Sequence, residues 1–156
     1  MSIFKNLLKR VINTVTPDWL TSEVDQIINE DFMKAFAGAC ALIACADGKI
    51  DSSEEAKILS FIKNLRELKS FDSSTIMQHF REFANTLNCD PDMGREKIYT
   101  SLKEIKGDKK ASKLLVRICC HIGAADGDFD SNEKQATIEI CRQLGIEPNE
   151  FPELNP

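Results

Sequence analysis

Seven carboxylates stand in two short stretches of the chain: Asp47, Asp51 and Glu54 in the first, Asp126, Asp128, Asp130 and Glu133 in the second. An offset of 79 residues lays Cys40-Ala-Leu-Ile-Ala-Cys-Ala-Asp-Gly-Lys-Ile-Asp-Ser-Ser-Glu54 on Cys119-Cys-His-Ile-Gly-Ala-Ala-Asp-Gly-Asp-Phe-Asp-Ser-Asn-Glu133. Each copy reads as an apolar run, Asp-Gly, one variable residue, a hydrophobe, and Asp-Ser-x-Glu. Setting the seven acids aside would move the formal charge from −5 to +2, so the acidity of the chain is concentrated in these two turns. Carboxylates at such density repel one another. A hard cation such as Ca²⁺ or Mg²⁺, which takes oxygen ligands, relieves that repulsion. Lys49 and Lys134 soften the field, and Lys49 stands in the first copy where Asp128 stands in the second.

The same spacing has an explanation without a ligand. Gly48 and Gly127 suit the left-handed conformation that closes a helix. Asp51 and Asp130 suit the N-cap of the next helix, with Glu54 and Glu133 three residues on to complete capping boxes, and Ile50 and Phe129 placed as hydrophobic staples. Such caps contribute about 1 kcal/mol each. Capping leaves Asp47 and Asp126 unaccounted for, because a carboxylate near a helix C-terminus faces the negative end of the dipole. A carboxylate has about four lone-pair sites, so capping and cation binding need not compete. The EF-hand loop does not fit: Asp126, Asp128 and Asp130 supply its positions one, three and five, but Ser131 replaces the glycine and Thr137 the bidentate glutamate.

The elements that must position these turns read as helices throughout. Apolar residues recur at helical spacing over Ile3–Val15, from Asn29 to Asp47-Gly48, over Asp51–Leu68, from Asp72 to Leu87, from Pro91 to Lys106-Gly107, from Asp108 to Asp126-Gly127, and from Asp130 to Leu144, where Gly145 stops the run. Asn88 to Asp90 read as a break. Small residues Ala35, Ala37, Gly38, Ala39 and Ala41 allow a neighbouring helix to approach closely. No segment alternates with period two. The expected fold is an all-α single-domain bundle of about seven helices, built from two helix-turn-helix repeats (about 32–66 and 111–145) related by an approximate two-fold. Residues 1–28 form an amphipathic helix and linker, 29–151 the helical domain, and 152–156 a tail.

Several functions are disfavoured. With 156 residues and 42% hydrophobic content the chain suits one domain, and a charge of −5 gives no electrostatic reason to expect a nucleic-acid partner. No run approaches the roughly 20 apolar residues of a membrane span, and no secretory signal is evident, so a cytoplasmic location is expected. The basic amphipathic segment Ile3–Val15 fits a bundle helix more commonly than a membrane-surface helix. No nucleophile has a neighbouring base, no phosphate loop occurs, and His79 and His121 have no motif around them, so no enzyme is expected. The six cysteines contain no C-x-x-C pair, and four fall among Ala, Ile, Leu and Val as buried thiols do. Only Cys89 reads as loop-like. Thiol chemistry on heavy elements, by Cys89 or by Cys119 with Cys120, is the redox alternative.

Asp47-Gly48, Asp126-Gly127-Asp-Phe-Asp130 with Glu133, Glu67-Leu-Lys-Ser-Phe-Asp72, and Arg142-Gln-Leu-Gly-Ile-Glu-Pro-Asn-Glu-Phe151 together resemble the bacterial tellurite-resistance TerB family over nearly the whole chain. The resemblance implies a helical bundle of two related halves and divalent-cation binding by the acidic turns. It also implies work with other Ter-system proteins, at the inner face of the membrane, in resistance to tellurite and related stresses. The family's acidic positions match Asp47 and Glu54 in the first copy and Asp126, Asp130 and Glu133 in the second. Asp51 and Asp128 are additions. The resulting expectation is a non-catalytic, Ca²⁺-like cation-binding module acting as sensor or adaptor for membrane-associated Ter partners. The alternative is a metal-independent protein-interaction scaffold in the same system.

Overall fold

The computed structural model describes residues 28–46, 56, 72–125 and 130–154. Five α-helices run through them: α1 (Glu30–Ala44), α2 (Ser73–Cys89), α3 (Pro91–Ile105), α4 (Lys109–Ala125) and α5 (Ser131–Leu144), followed by single 3₁₀ turns at Pro148–Glu150 and Pro152–Leu154. The described residues form no strand. The helix expected over Ile3–Val15 lies outside the described residues, as does that over Asp51–Leu68 except for Ala56, which is helical.

α1 is the centre of the assembly. The Asn29 side chain accepts a hydrogen bond from the Phe32 N–H at 2.9 Å, and Glu30 and Asp31 face the positive end of the helix dipole. Twelve of its fifteen residues are buried, so it lacks the polar stripe of a surface helix. It packs most extensively on α2 and α3, and also on α5 and α4. The small residues make that possible. A Cβ at Gly38 would lie 3.0 Å from Ile98 and 3.4 Å from Phe83.

Local signals set the other helices. The Asp72 carboxylate accepts from the N–H groups of Ser74 and Thr75 and from the Thr75 hydroxyl, while the Asp72 N–H donates to Met33 Sδ at 3.4 Å, tying the start of α2 to α1. These bonds, the Thr75 hydroxyl first, hold the Asp72 carboxyl below its ordinary value of 3.8. Because the folded value is lowered, the cap's contribution is fully present above the unfolded value and is lost as pH falls through the folded one. Asp72→Asn keeps a capping oxygen without a titrating group. Wild type should therefore lose stability relative to this variant as pH drops below about 4, read from paired urea unfolding curves.

The α2–α3 elbow is tighter than the sequence suggests. α2 continues through Asn88 and Cys89, and Asp90 is the one residue between the helices. Its N–H donates to the Thr86 carbonyl at 2.7 Å, closing α2, and its carboxylate accepts from the Met93 N–H at 3.2 Å, opening α3 with Pro91 in the first position. Pro91 disfavours helical backbone only at the residue before it, so Asn88 and Cys89 remain helical.

Asp108 caps α4 by accepting from the Ala111 N–H at 3.1 Å, and the buried Ser112 hydroxyl donates to the Ile105 carbonyl across the turn. Gly145, at φ 71°, closes α5 with N–H bonds from Gly145 to Arg142 and from Ile146 to Cys141. The chain then folds back. Ile146, Phe151 and Leu154 enter the core beside α4 and α5, with the Arg117 guanidinium 5.4 Å from the centre of the Phe151 ring.

Candidate metal centre

Of the seven acids that spacing singles out, Asp130 and Glu133 are described; Asp47, Asp51, Glu54, Asp126 and Asp128 lie outside the described residues. Asp130 Oδ1 accepts from the Glu133 N–H at 2.8 Å, and Glu133 Oε1 accepts from the Asp130 N–H at 3.1 Å. The second copy thus holds a complete capping box, which occupies one oxygen of each carboxylate. Thr137, at the place of an EF-hand's last ligand, is fully buried and donates its hydroxyl to the Glu133 carbonyl at 2.9 Å. That side chain serves its own helix. Among the described residues no three His, Cys, Asp or Glu side chains converge on one point.

The flanks of the two acidic turns meet. Leu42, Cys45 and Ala46, the last residues before Asp47, share a cleft of about 620 Å³ with Asn132, Gln135, Ala136 and Glu139, which follow Asp130 on α5. The third wall is the α2–α3 elbow, through Leu87, Asn88, Pro91, Arg95 and Tyr99. Partial burial pushes the Tyr99 hydroxyl's pKa up, Glu139 adds to the shift, and Arg95 opposes it. Sequence reading passed over these residues. Arg95 and Tyr99 share a face of α3 at a spacing of four, and Asn132, Gln135 and Glu139 a face of α5, but such polar stripes ordinarily mark a solvated surface.

The thiols divide as burial dictates. Cys40, Cys119, Cys120 and Cys141 are buried, Cys45 is half-buried and Cys89 is exposed at the last residue of α2, within the helix rather than in a loop. Burial pushes the Cys40 and Cys141 thiols up to about 12 and raises Cys119 and Cys120 as well. A protonated, enclosed thiol is a poor nucleophile. In native protein, a thiol-specific disulfide reagent should modify Cys89 first, and these four only after denaturant unfolds the chain; mass mapping of the labelled peptides checks this.

All-helical packing of the described residues defines a small helical-bundle protein. Its family follows from comparison with known proteins. The family model described as tellurite resistance protein TerB matches residues 33–155, and the chain belongs to that family. A relative from Alcaligenes sp, the tellurium resistance protein TerB, is 27% identical over 99 residues, covering 64% of this chain and 81% of that protein. No solved structure matches.

Proposed function

We propose that this chain is a non-catalytic divalent-cation-binding module of a tellurite-resistance and stress-response system, with a Ca²⁺-like ion held by Asp47, Asp51, Glu54, Asp126, Asp128, Asp130 and Glu133. It acts in the cytoplasm as sensor or adaptor for other Ter-system proteins, including a membrane protein at the inner face. Family membership supports the role in tellurite resistance. The observation that supports the ion site is the shared cleft: the last described residues before Asp47 and the first turns of α5 line it together. No described helix is long and apolar enough to cross a membrane, which fits an adaptor that meets its membrane partner from outside the bilayer.

The metal-independent scaffold is the second reading, and the complete box at Asp130 and Glu133 favours it. Asp130→Asn separates the two, since Asn caps as well as Asp but removes one charge. Under the ion reading this variant keeps its unfolding midpoint while Ca²⁺ binding weakens roughly tenfold, the scale expected when a ligand's charge is lost. Amide NMR titration reads the affinity, with Gly48 and Gly127 expected to move first. Absence of any response at millimolar Ca²⁺ would leave the scaffold.

A further inference from the structure

Beyond Gly145 the chain lies along one face of α4. Lys113, Arg117 and Cys120, at spacings of four and three, share that face. Lys113 Nζ lies 3.4 Å from Glu150 Oε2, and the Arg117 guanidinium lies 5.4 Å from the centre of the Phe151 ring. Burial raises the Cys120 thiol's pKa and the Glu153 carboxylate adds to the shift; on α5, burial raises Cys141 and Glu150 adds to it. The segment therefore runs beside α4 in the same direction, with Glu150 by Lys113, Phe151 by Arg117 and Glu153 by Cys120. Residues 146–154 form a strap across two thiols.

Side chains hold this strap in place. Its backbone hydrogen bonds from Glu150 to Glu147, Phe151 to Pro148 and Leu154 to Phe151 are internal. Among the described residues, only the Ile146 N–H bonds the strap's backbone to a helix, at the Cys141 carbonyl. Beyond Ile146 its buried anchors are Phe151 and Leu154, and the Lys113–Glu150 pair, half in solvent, adds little. Docking also leaves Arg117 Nε buried without a hydrogen-bond partner among the described residues, a cost that release to water removes. The entropy of ordering residues 148–154 is of the same order as the gain from burying two apolar side chains, or larger. Segments so balanced open ahead of the core they cover.

The four enclosed thiols are not equivalent. Cys40 and Cys119 are enclosed more deeply than Cys120 and Cys141, and Cys119 sits about 100° round α4 from Cys120. We propose that residues 146–154 are a releasable strap that gates Cys120 and Cys141, so that both react with a disulfide when it lifts while Cys40 and Cys119 stay enclosed in the bundle. In that reaction the thiol gives its proton to solvent, its sulfur bonds to one sulfur of the disulfide, and the S–S bond breaks with the other half leaving as thiolate. The strap goes beyond the cation reading and does not require it.

The test uses the full chain in EDTA without denaturant, the neutral disulfide dithiodipyridine as probe, and mass mapping of peptides at timed intervals. Wild type should protect all four thiols over the interval in which Cys89 reacts. Phe151→Ala should speed the labelling of Cys120 and Cys141 at least about thirtyfold, because the rate follows the open fraction and a buried ring has been lost from the closed state alone. Leu154→Ala should do the same at least about tenfold. Cys40 and Cys119 should remain protected in both variants, and the helical circular dichroism should be that of wild type. In either folded variant, Cys120 or Cys141 reacting in step with Cys40 or Cys119 would overturn the proposal. Loss of the helical signal in both variants would overturn it too, since a releasable strap can be loosened without unfolding the bundle.

Discussion

Phe36→Ala is expected to lower the unfolding free energy by about 3–5 kcal/mol, the range for truncating a buried aromatic ring whose surroundings cannot collapse. Phe36 is fully enclosed at the middle of α1, and its ring stacks on Phe32 with centroids 6.4 Å apart and planes 9° from parallel. Relaxation is restricted on every side, because α1 is itself hemmed in by four other helices. Domains of this size are stable by about 5–15 kcal/mol, so the loss would remove a large part of the total. Urea unfolding followed by circular dichroism measures it. A change below about 1.5 kcal/mol would mean that the site collapses or that α1 is not central.

Gly94→Ala should destabilise by about 2 kcal/mol, although Ala is the better helix former by roughly 1 kcal/mol. A Cβ there would fall 2.8 Å from Leu87 Cα as well as 2.7 Å from Leu87 Cδ2. A side chain can turn away, but the backbone of α2 cannot. The single-residue connection at Asp90 leaves no slack, so the helices must splay along their length. Gly38 is a useful contrast: its closest neighbour is the buried Ile98 side chain at 3.0 Å, a longer approach than at Gly94 and to side chain rather than backbone, so Gly38→Ala should cost less in the same assay. An equal or larger effect at Gly38 would contradict this description of the elbow.

The parts of the fold legible in the sequence are those governed by neighbours in the chain. Asp72, Pro91, Asp108, the Asp130 and Glu133 box and Gly145 act where their types and spacing place them, because a cap involves only the next three or four residues. Apolar spacing likewise placed Ile76, Phe80, Phe83, Leu87, Ile98 and Leu102 in the core. What the sequence does not display is long-range. Leu42, Leu87 and Ala136 form one surface only after α1, α2 and α5 have packed, and no local pattern announces it. Phe151 and Leu154 follow no helical period, yet both are buried, because two 3₁₀ turns carry the chain back across α4 and α5. The candidate metal centre stands between these cases. The capping half of its chemistry is local and could be read at Asp130 and Glu133, whereas the proposed sharing of an ion by the two acidic stretches depends on how α1 and α5 pack.

Calorimetric titration of metal-free protein with Ca²⁺, Mg²⁺, Mn²⁺ and Zn²⁺, repeated on Asp47→Asn with Asp126→Asn, tests the central claim most directly. The caps read from the sequence do not involve these two residues, so the double variant should fold as wild type does. The account expects saturable binding of Ca²⁺ or a similar hard cation with a dissociation constant between about 10⁻⁶ and 10⁻³ M, weakened at least tenfold in the double variant. No heat of binding with any of the four ions, or equal binding by wild type and variant, would contradict it.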